Sequence, residues 1–207
     1  MVTASYISPG LADLHEKAKE AGVTIMNEIG LDPGIDHLTG MLISRFHVLA
    51  LAAFSKIKKE GGHVTEFISW CGGLPAPEVS DNPLGYKFSW SPQGVLLAAS
   101  NSASFLQDSK KIEIAGENLL KSAVDVPIMK GFALEGYANR DSIKYVSLYD
   151  LDPQKLRTMF RGTLRYKGFA ELMDGCKKLG LLQQTELPRS GMSWVCSQIR
   201  SCFRMTY

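Results

Sequence analysis

The run Trp70-Cys71-Gly72-Gly73-Leu74-Pro75-Ala76-Pro77-Glu78, followed by Asp81-Asn82-Pro83-Leu84-Gly85, sets the strongest limit on what this chain can fold into. Pro75, Pro77 and Pro83 fix φ and remove amide donors, so neither a helix interior nor a central strand accommodates them. Gly72 and Gly73 permit either positive φ or the close approach of another backbone or ligand. The segment is a stiff connector, and Tyr86, Phe88 and Trp90 just beyond it supply aromatic anchors. Long ordered loops of this chemistry carry function more often than they merely join elements. By composition alone it reads equally as a proline-stiffened loop.

On either side of this connector the patterns change character. Residues 2–6 are apolar and β-branched, and Ser8-Pro9 suits a helix start. Leu11, Leu14 and Ala18 line one face of a helix expected to run to Ala21 and to be closed by Gly22. A short buried strand is expected at 23–29, which makes strand, helix and strand one βαβ unit of a parallel sheet. Ligands sit at the carboxyl ends of such strands, here Ser5-Tyr6-Ile7 and Leu31-Asp32-Pro33-Gly34. From Ala53 onward a helix ends at Gly61-Gly62 and a strand is expected at 64–70. Strands are also expected at 111–115, 132–137 and 160–165, with helices at 117–123, 142–149 and 169–179, the last capped by Gly180. Without strict βαβ alternation, these elements favour an α+β domain on a mixed or antiparallel sheet.

The 207 residues suffice for one good-sized domain or a domain and a half. With 45% hydrophobic and 21% charged residues the profile is that of a soluble globular protein, and a net charge of +2 makes no case for nucleic acid. Arg157, Arg161, Arg165 and Lys167 form a basic cluster that, standing alone, reads as a solvated face. Cys71, Cys176, Cys196 and Cys202 form no C-x-x-C pair, which argues against a zinc site or a disulfide framework and for a reducing compartment. The apolar run 41–54 is broken by Arg45 and His47 and falls short of the roughly 20 residues of a membrane span.

Four ordered blocks of sequence go further. Thr3-Ala4-Ser5-Tyr6-Ile7-Ser8-Pro9 is followed by Asn27-Glu28-Ile29-Gly30-Leu31-Asp32-Pro33-Gly34-Ile35-Asp36-His37, the Gly-Pro connector, and Asn139-Arg140-Asp141-Ser142 with Arg161-Gly162-Thr163-Leu164-Arg165-Tyr166-Lys167-Gly168. Together they resemble the saccharopine dehydrogenases of the L-glutamate-forming type over residues 1–38 and 53–182. The resemblance implies a reversible, NAD- or NADP-dependent joining of glutamate to 2-aminoadipate 6-semialdehyde in lysine metabolism. The product is saccharopine, and the enzyme is expected to be a homodimer, cytoplasmic or mitochondrial, with no membrane or nucleic-acid partner. The family's G-x-G-x-x-G fingerprint precedes the first block, and no such motif occurs in this chain. The expected architecture is therefore the last βαβ unit of a Rossmann domain (1–37), an atypical insertion (38–52), an α+β substrate-binding and dimerisation domain (53–187) and an atypical tail (188–207). A catalytically inactive piece that only folds or dimerises, and a related imine reductase such as one making carboxynorspermidine, are the competing readings.

Saccharopine carries three carboxylates, which arginine forks bind bidentately. Taken alone, Arg140 and Arg165 are surface or structural ion-pair residues; the resemblance assigns both to substrate, with Tyr6, Ile7, Thr163 and Leu164. Ser5, Asp32, Pro33, Gly34 and Trp90 are assigned to the cofactor's nicotinamide end. Asp32 is also the candidate to hold a proton near the imine nitrogen, its plainer role being a helix cap. Cys71 lines the site without a nucleophilic role, and His37 is structural.

Overall fold

The computed structural model describes residues 1–35, 61–89, 91–149 and 151–182. The organising element is a nine-residue strand, Thr158–Tyr166, in which alternation sends Met159, Arg161, Thr163 and Arg165 to one face and Phe160, Gly162 and Leu164 to the other. Numbered in chain order, the strands are β1 (Glu66–Cys71), β2 (Ala103–Gln107), β3 (Lys110–Ile114), β4 (Val124–Asp125), β5 (Leu134–Ala138) and β6 (Thr158–Tyr166). They form one mixed six-stranded sheet. Along one edge of β6 runs β1, parallel, from Glu66 opposite Thr158 to Cys71 opposite Thr163. Along its other edge β5 pairs antiparallel from Leu134 opposite Tyr166 to Ala138 opposite Gly162, and β2 joins at Leu106 opposite Met159. Beyond β2 the sheet continues to β3 through a hairpin whose two turn residues, Asp108 and Ser109, have φ of 49° and 61°. That is the two-residue turn whose twist matches the flanking strands.

The helices among the described residues are short. They are α1 (Pro9–Ala12), α2 (His15–Glu20), α3 (Pro92–Ala98), α4 (Tyr145–Leu148) and α5 (Phe169–Lys178). The helix expected over 8–21 is broken between α1 and α2, where Leu14 bonds back to Leu11 in a tighter turn. Gly10 weakens the first segment, and none of the described side chains of the two helices is buried to hold them in line. Its far end matches expectation. Gly22 has φ of 63°, its amide reaches the Lys19 carbonyl, and the Val23 amide reaches that of Ala18, a Schellman closure.

The flanking segments pair in parallel through Val2 and Met26, with Thr3 donating to Met26 and Ile29 to Thr3, though only as an isolated bridge. Other expectations need correcting. The helix expected at 117–123 is a single 3-10 turn at Leu120–Ser122, and that at 142–149 shrinks to α4. Elements α3, β2 and β4 are additions. The segment 39–52, the helix from Ala53, His37 and the tail from 188 lie outside the described residues.

Two apolar clusters flank the sheet. One gathers Val95, Ala99, Phe105, Leu119, Phe169 and Met173; the other joins Tyr145, Tyr149, Leu156 and Met159 with Phe67 and Leu106 packed against them. The Trp70 ring lies across Gly136 and Gly162, where a Cβ on either glycine would strike it. Among the described residues no helix is long and apolar enough to cross a membrane.

Candidate functional site

Register gathers polar side chains on one face of the sheet. Thr163 stands between Cys71 and Tyr137, Arg161 opposite Ser69, and Arg165 opposite Glu135. Arg165 is 7% exposed, an unusual place for a charge. Its Nη1 donates to the Leu164 carbonyl at 2.7 Å, while its buried Nε has no hydrogen-bond partner. Two rings face the guanidinium, Tyr86 at 4.9 Å and Phe169 at 5.3 Å from their centroids. Such contacts offset part of the desolvation cost but do not neutralise the charge. Its cross-strand neighbour Glu135 is turned elsewhere. The two Glu135 oxygens accept the Gly168 amide at 3.1 Å and the Ala170 amide at 2.6 Å, at the start of α5. Burial raises Tyr137 above the ordinary tyrosine range, with Arg165 pulling the other way.

The Gly-Pro connector supplies one of these rings. Gly72 lies directly against the Leu164 carbonyl, where a Cβ would collide, so close approach rather than positive φ is its role. Tyr166 donates its hydroxyl to the Pro75 carbonyl at 3.0 Å. Asn82 Oδ1 then accepts the amides of Leu84 at 3.1 Å and Tyr86 at 3.4 Å, and Gly85 turns the chain at φ of 54°. The outcome is a buried Tyr86 held over Arg165.

A second group lies where the N-terminal segment meets the sheet. Tyr6 donates its hydroxyl to Asp32 Oδ1 at 2.6 Å, and Arg161 Nη2 donates to the same oxygen at 3.0 Å. The Arg161 and Asp32 side chains are 6% and 13% exposed. Arg161 also stacks on Tyr145, 4.1 Å from the ring centroid. Burial lowers the Arg161 pKa most, but Asp32 and the hydroxyls of Tyr145, Tyr149 and Tyr6 together lift it above the usual arginine value. Tyr6 is likewise pushed well above the tyrosine range, by burial first and then by the Asp32 bond and charge. Exposed Arg140, at φ of 50°, places its guanidinium 5.6 Å from the Tyr6 ring centroid.

The residues singled out in the sequence are therefore placed as follows. Tyr6, Asp32 and Arg140 meet in one group; Thr163, Leu164 and Arg165 are consecutive on β6, and each arginine faces a different ring. Ile7 is exposed and its amide donates to Glu28 Oε1 at 3.2 Å; the Ser5 hydroxyl accepts from Thr3 at 3.1 Å. Pro33 and Gly34 are buried in a tight loop where the Gly30 amide meets the Pro33 carbonyl. Trp90 lies outside the described residues. Arg161 overturns the solvated-face reading of the basic cluster, which holds for Arg157 and Lys167, 60% and 59% exposed, but not for a buried ion pair. The period-two spacing Arg161, Thr163, Arg165 was the signal that places it on the site face.

Comparison with known proteins bears on the same segments. The saccharopine dehydrogenase C-terminal domain family matches residues 30–203. A saccharopine dehydrogenase [NADP(+), L-glutamate-forming] of Pyricularia oryzae is 47% identical over 188 residues, 91% of this chain and 39% of that protein. The mitochondrial alpha-aminoadipic semialdehyde synthase of Bos taurus is 44% identical over 189 residues, 91% of this chain and 19% of the relative. Among solved structures, the apo L-Glu-forming saccharopine dehydrogenase of Saccharomyces cerevisiae superposes with a TM-score of 0.72 at 46% identity. It is matched over 88% of this chain and 38% of its own length. The chain thus spans well under half of each of these relatives.

Proposed function

Since the chain belongs to the saccharopine dehydrogenase family by its match to the C-terminal domain over residues 30–203, we propose that it forms the substrate-binding part of an L-glutamate-forming saccharopine dehydrogenase. The observation that carries this reading is Arg165. A buried guanidinium with an orphan Nε, flanked by rings, is a poor structural residue and a good receptor for a carboxylate. Arg140 takes a second carboxylate with its exposed fork, and Thr163 and the Leu164 backbone complete the cradle. Tyr6, its hydroxyl proton donated to Asp32, presents its oxygen to the secondary amine, and Asp32 holds or relays a proton as the nitrogen changes protonation.

The loop residues around Ser5 and Asp32 suit the nicotinamide end of a cofactor. Asn27 keeps a buried acceptor oxygen with no donor, fitted to an amide N–H, and Ser5, Asp32, Pro33 and Gly34 would hold the group. When bound it supplies a hydride. NADP is the form named for the fungal relative, and we extend it to this chain along with a homodimeric assembly. The segment 1–37 is read as belonging to the nucleotide-binding part.

Calorimetry on the purified chain tests the reading. Saccharopine should bind the wild type, and Arg165→Met should lose about 30- to 1000-fold in affinity, the 2–4 kcal/mol of an unpaired buried charge contact. Equal affinity in both would overturn it.

A further inference from the structure

Arg161 is used by none of the steps above, yet it is a buried, ion-paired charge at the centre of the sheet. Its backbone is pinned on both sides, donating its amide to the Ser142 hydroxyl at 3.0 Å and accepting the Asn139 amide at 2.8 Å. Its side chain is stacked on Tyr145. From this fixed point it reaches Asp32, 129 residues away in sequence, on the oxygen that also takes the Tyr6 hydroxyl. Tyr6 and Asp32 come from separate loops, and among the described residues the side-chain bonds to Asp32 are those from Tyr6 and Arg161.

We propose that Arg161 is a positioning residue for the reaction. Anchored on the central strand, it sets the Asp32 carboxylate and, through that one oxygen, aims the Tyr6 hydroxyl at the substrate nitrogen. The inference rests on the reading that Tyr6 faces substrate. Three features of the geometry support it. The two bonds converge on a single acceptor, so moving the guanidinium moves the phenol. Both Arg161 and Asp32 are nearly excluded from water, where a fixed direction is kept and screening is weak. The planar fork lies on a ring, which a lysine ammonium cannot reproduce. The charge works in the same sense, since Arg161 opposes the upward push that Asp32 exerts on Tyr6.

A merely structural Arg161 would couple to Tyr6 in unfolding, because both bond Asp32, but would not couple to it in saccharopine affinity. The test is a cycle of Arg161→Lys and Tyr6→Phe, read both as unfolding equilibrium constant without ligand and as saccharopine affinity. The two changes should be non-additive by about tenfold or more, and the coupling should vanish in an Asp32→Asn background. Arg161→Lys keeps the charge, so the fold should survive; affinity should drop about tenfold with Tyr6 present and less than twofold with Phe there. Additive effects, or a coupling that persists without the Asp32 carboxylate, overturn the proposal. Should the wild type bind no saccharopine while the ligand-free coupling stands, the substrate reading falls and the hold of Arg161 on Tyr6 does not.

Discussion

Glu135 decides what Arg165 is free to do. Sitting across the strand pair from the guanidinium, it would ordinarily neutralise it, but both its oxygens are committed to the amides of Gly168 and Ala170. Removing it orphans two amides at a buried helix start, so Glu135→Ala should destabilise the fold by about 2–4 kcal/mol, measured by denaturant unfolding. Tyr6 makes a prediction about pH. Its hydroxyl titrates above the ordinary value of 10.0, chiefly through burial and Asp32. An unfolded tyrosine ionises near 10, so the folded chain keeps the proton longer. The stability Tyr6 contributes is whole below about pH 10 and drains away as pH rises beyond it. Tyr6→Phe should therefore flatten the fall of unfolding midpoint between about pH 9.5 and about 12, with Tyr137 retaining part of the slope; equal slopes in both proteins would contradict this. At this scale the sequence named Arg165, Arg140, Tyr6 and Asp32 through resemblance, whereas Arg161 stayed hidden in a run of cations. Its partner lies 129 residues away, and no local pattern announces a pair at that distance.

Elements were legible where side chains alternate or caps are explicit. The alternation of β6 and the Gly180 closure of α5, with φ of 76°, could be read directly. The start of α3 was also written in the chain, since Ser91 accepts the Gly94 amide at 3.1 Å ahead of Pro92, repeating the Ser8-Pro9 signal. Gly94 inside its first turn dilutes the helical pattern. In β2 only Phe105 and Leu106 are large and apolar, too few to declare a strand. Two substitutions probe these elements. Ser109→Gly relieves a left-handed residue in the β2–β3 turn and should raise stability by about 1 kcal/mol in thermal or denaturant unfolding. Gly162→Ala drives a methyl group into the Trp70 ring and should cost about 1–3 kcal/mol, with an altered environment for Trp70 in near-ultraviolet circular dichroism.

For the whole molecule, the mixed sheet followed from strands and helices that fail to alternate, but the order in which the strands assemble did not, because pairing partners leave no mark on each other's sequence. On the proposed reading, function at this scale depends on cofactor placement. The chain carries no glycine turn of the G-x-G-x-x-G kind to cradle a pyrophosphate. The purified polypeptide should bind saccharopine without turning it over, its cofactor affinity lowered on the order of a thousandfold. Turnover at millimolar cofactor above an Arg165→Ala blank would contradict that. The placing of β1 beside β6 also has a cost in time. Glu66 meets Thr158 roughly ninety residues later, so β1 leaves the ribosome about 5–20 s before its partner is synthesised. Through that interval Ile68 and Trp70 have no sheet to join. Closing so long a loop makes the search slow, and the nascent chain depends for those seconds on being shielded from its neighbours.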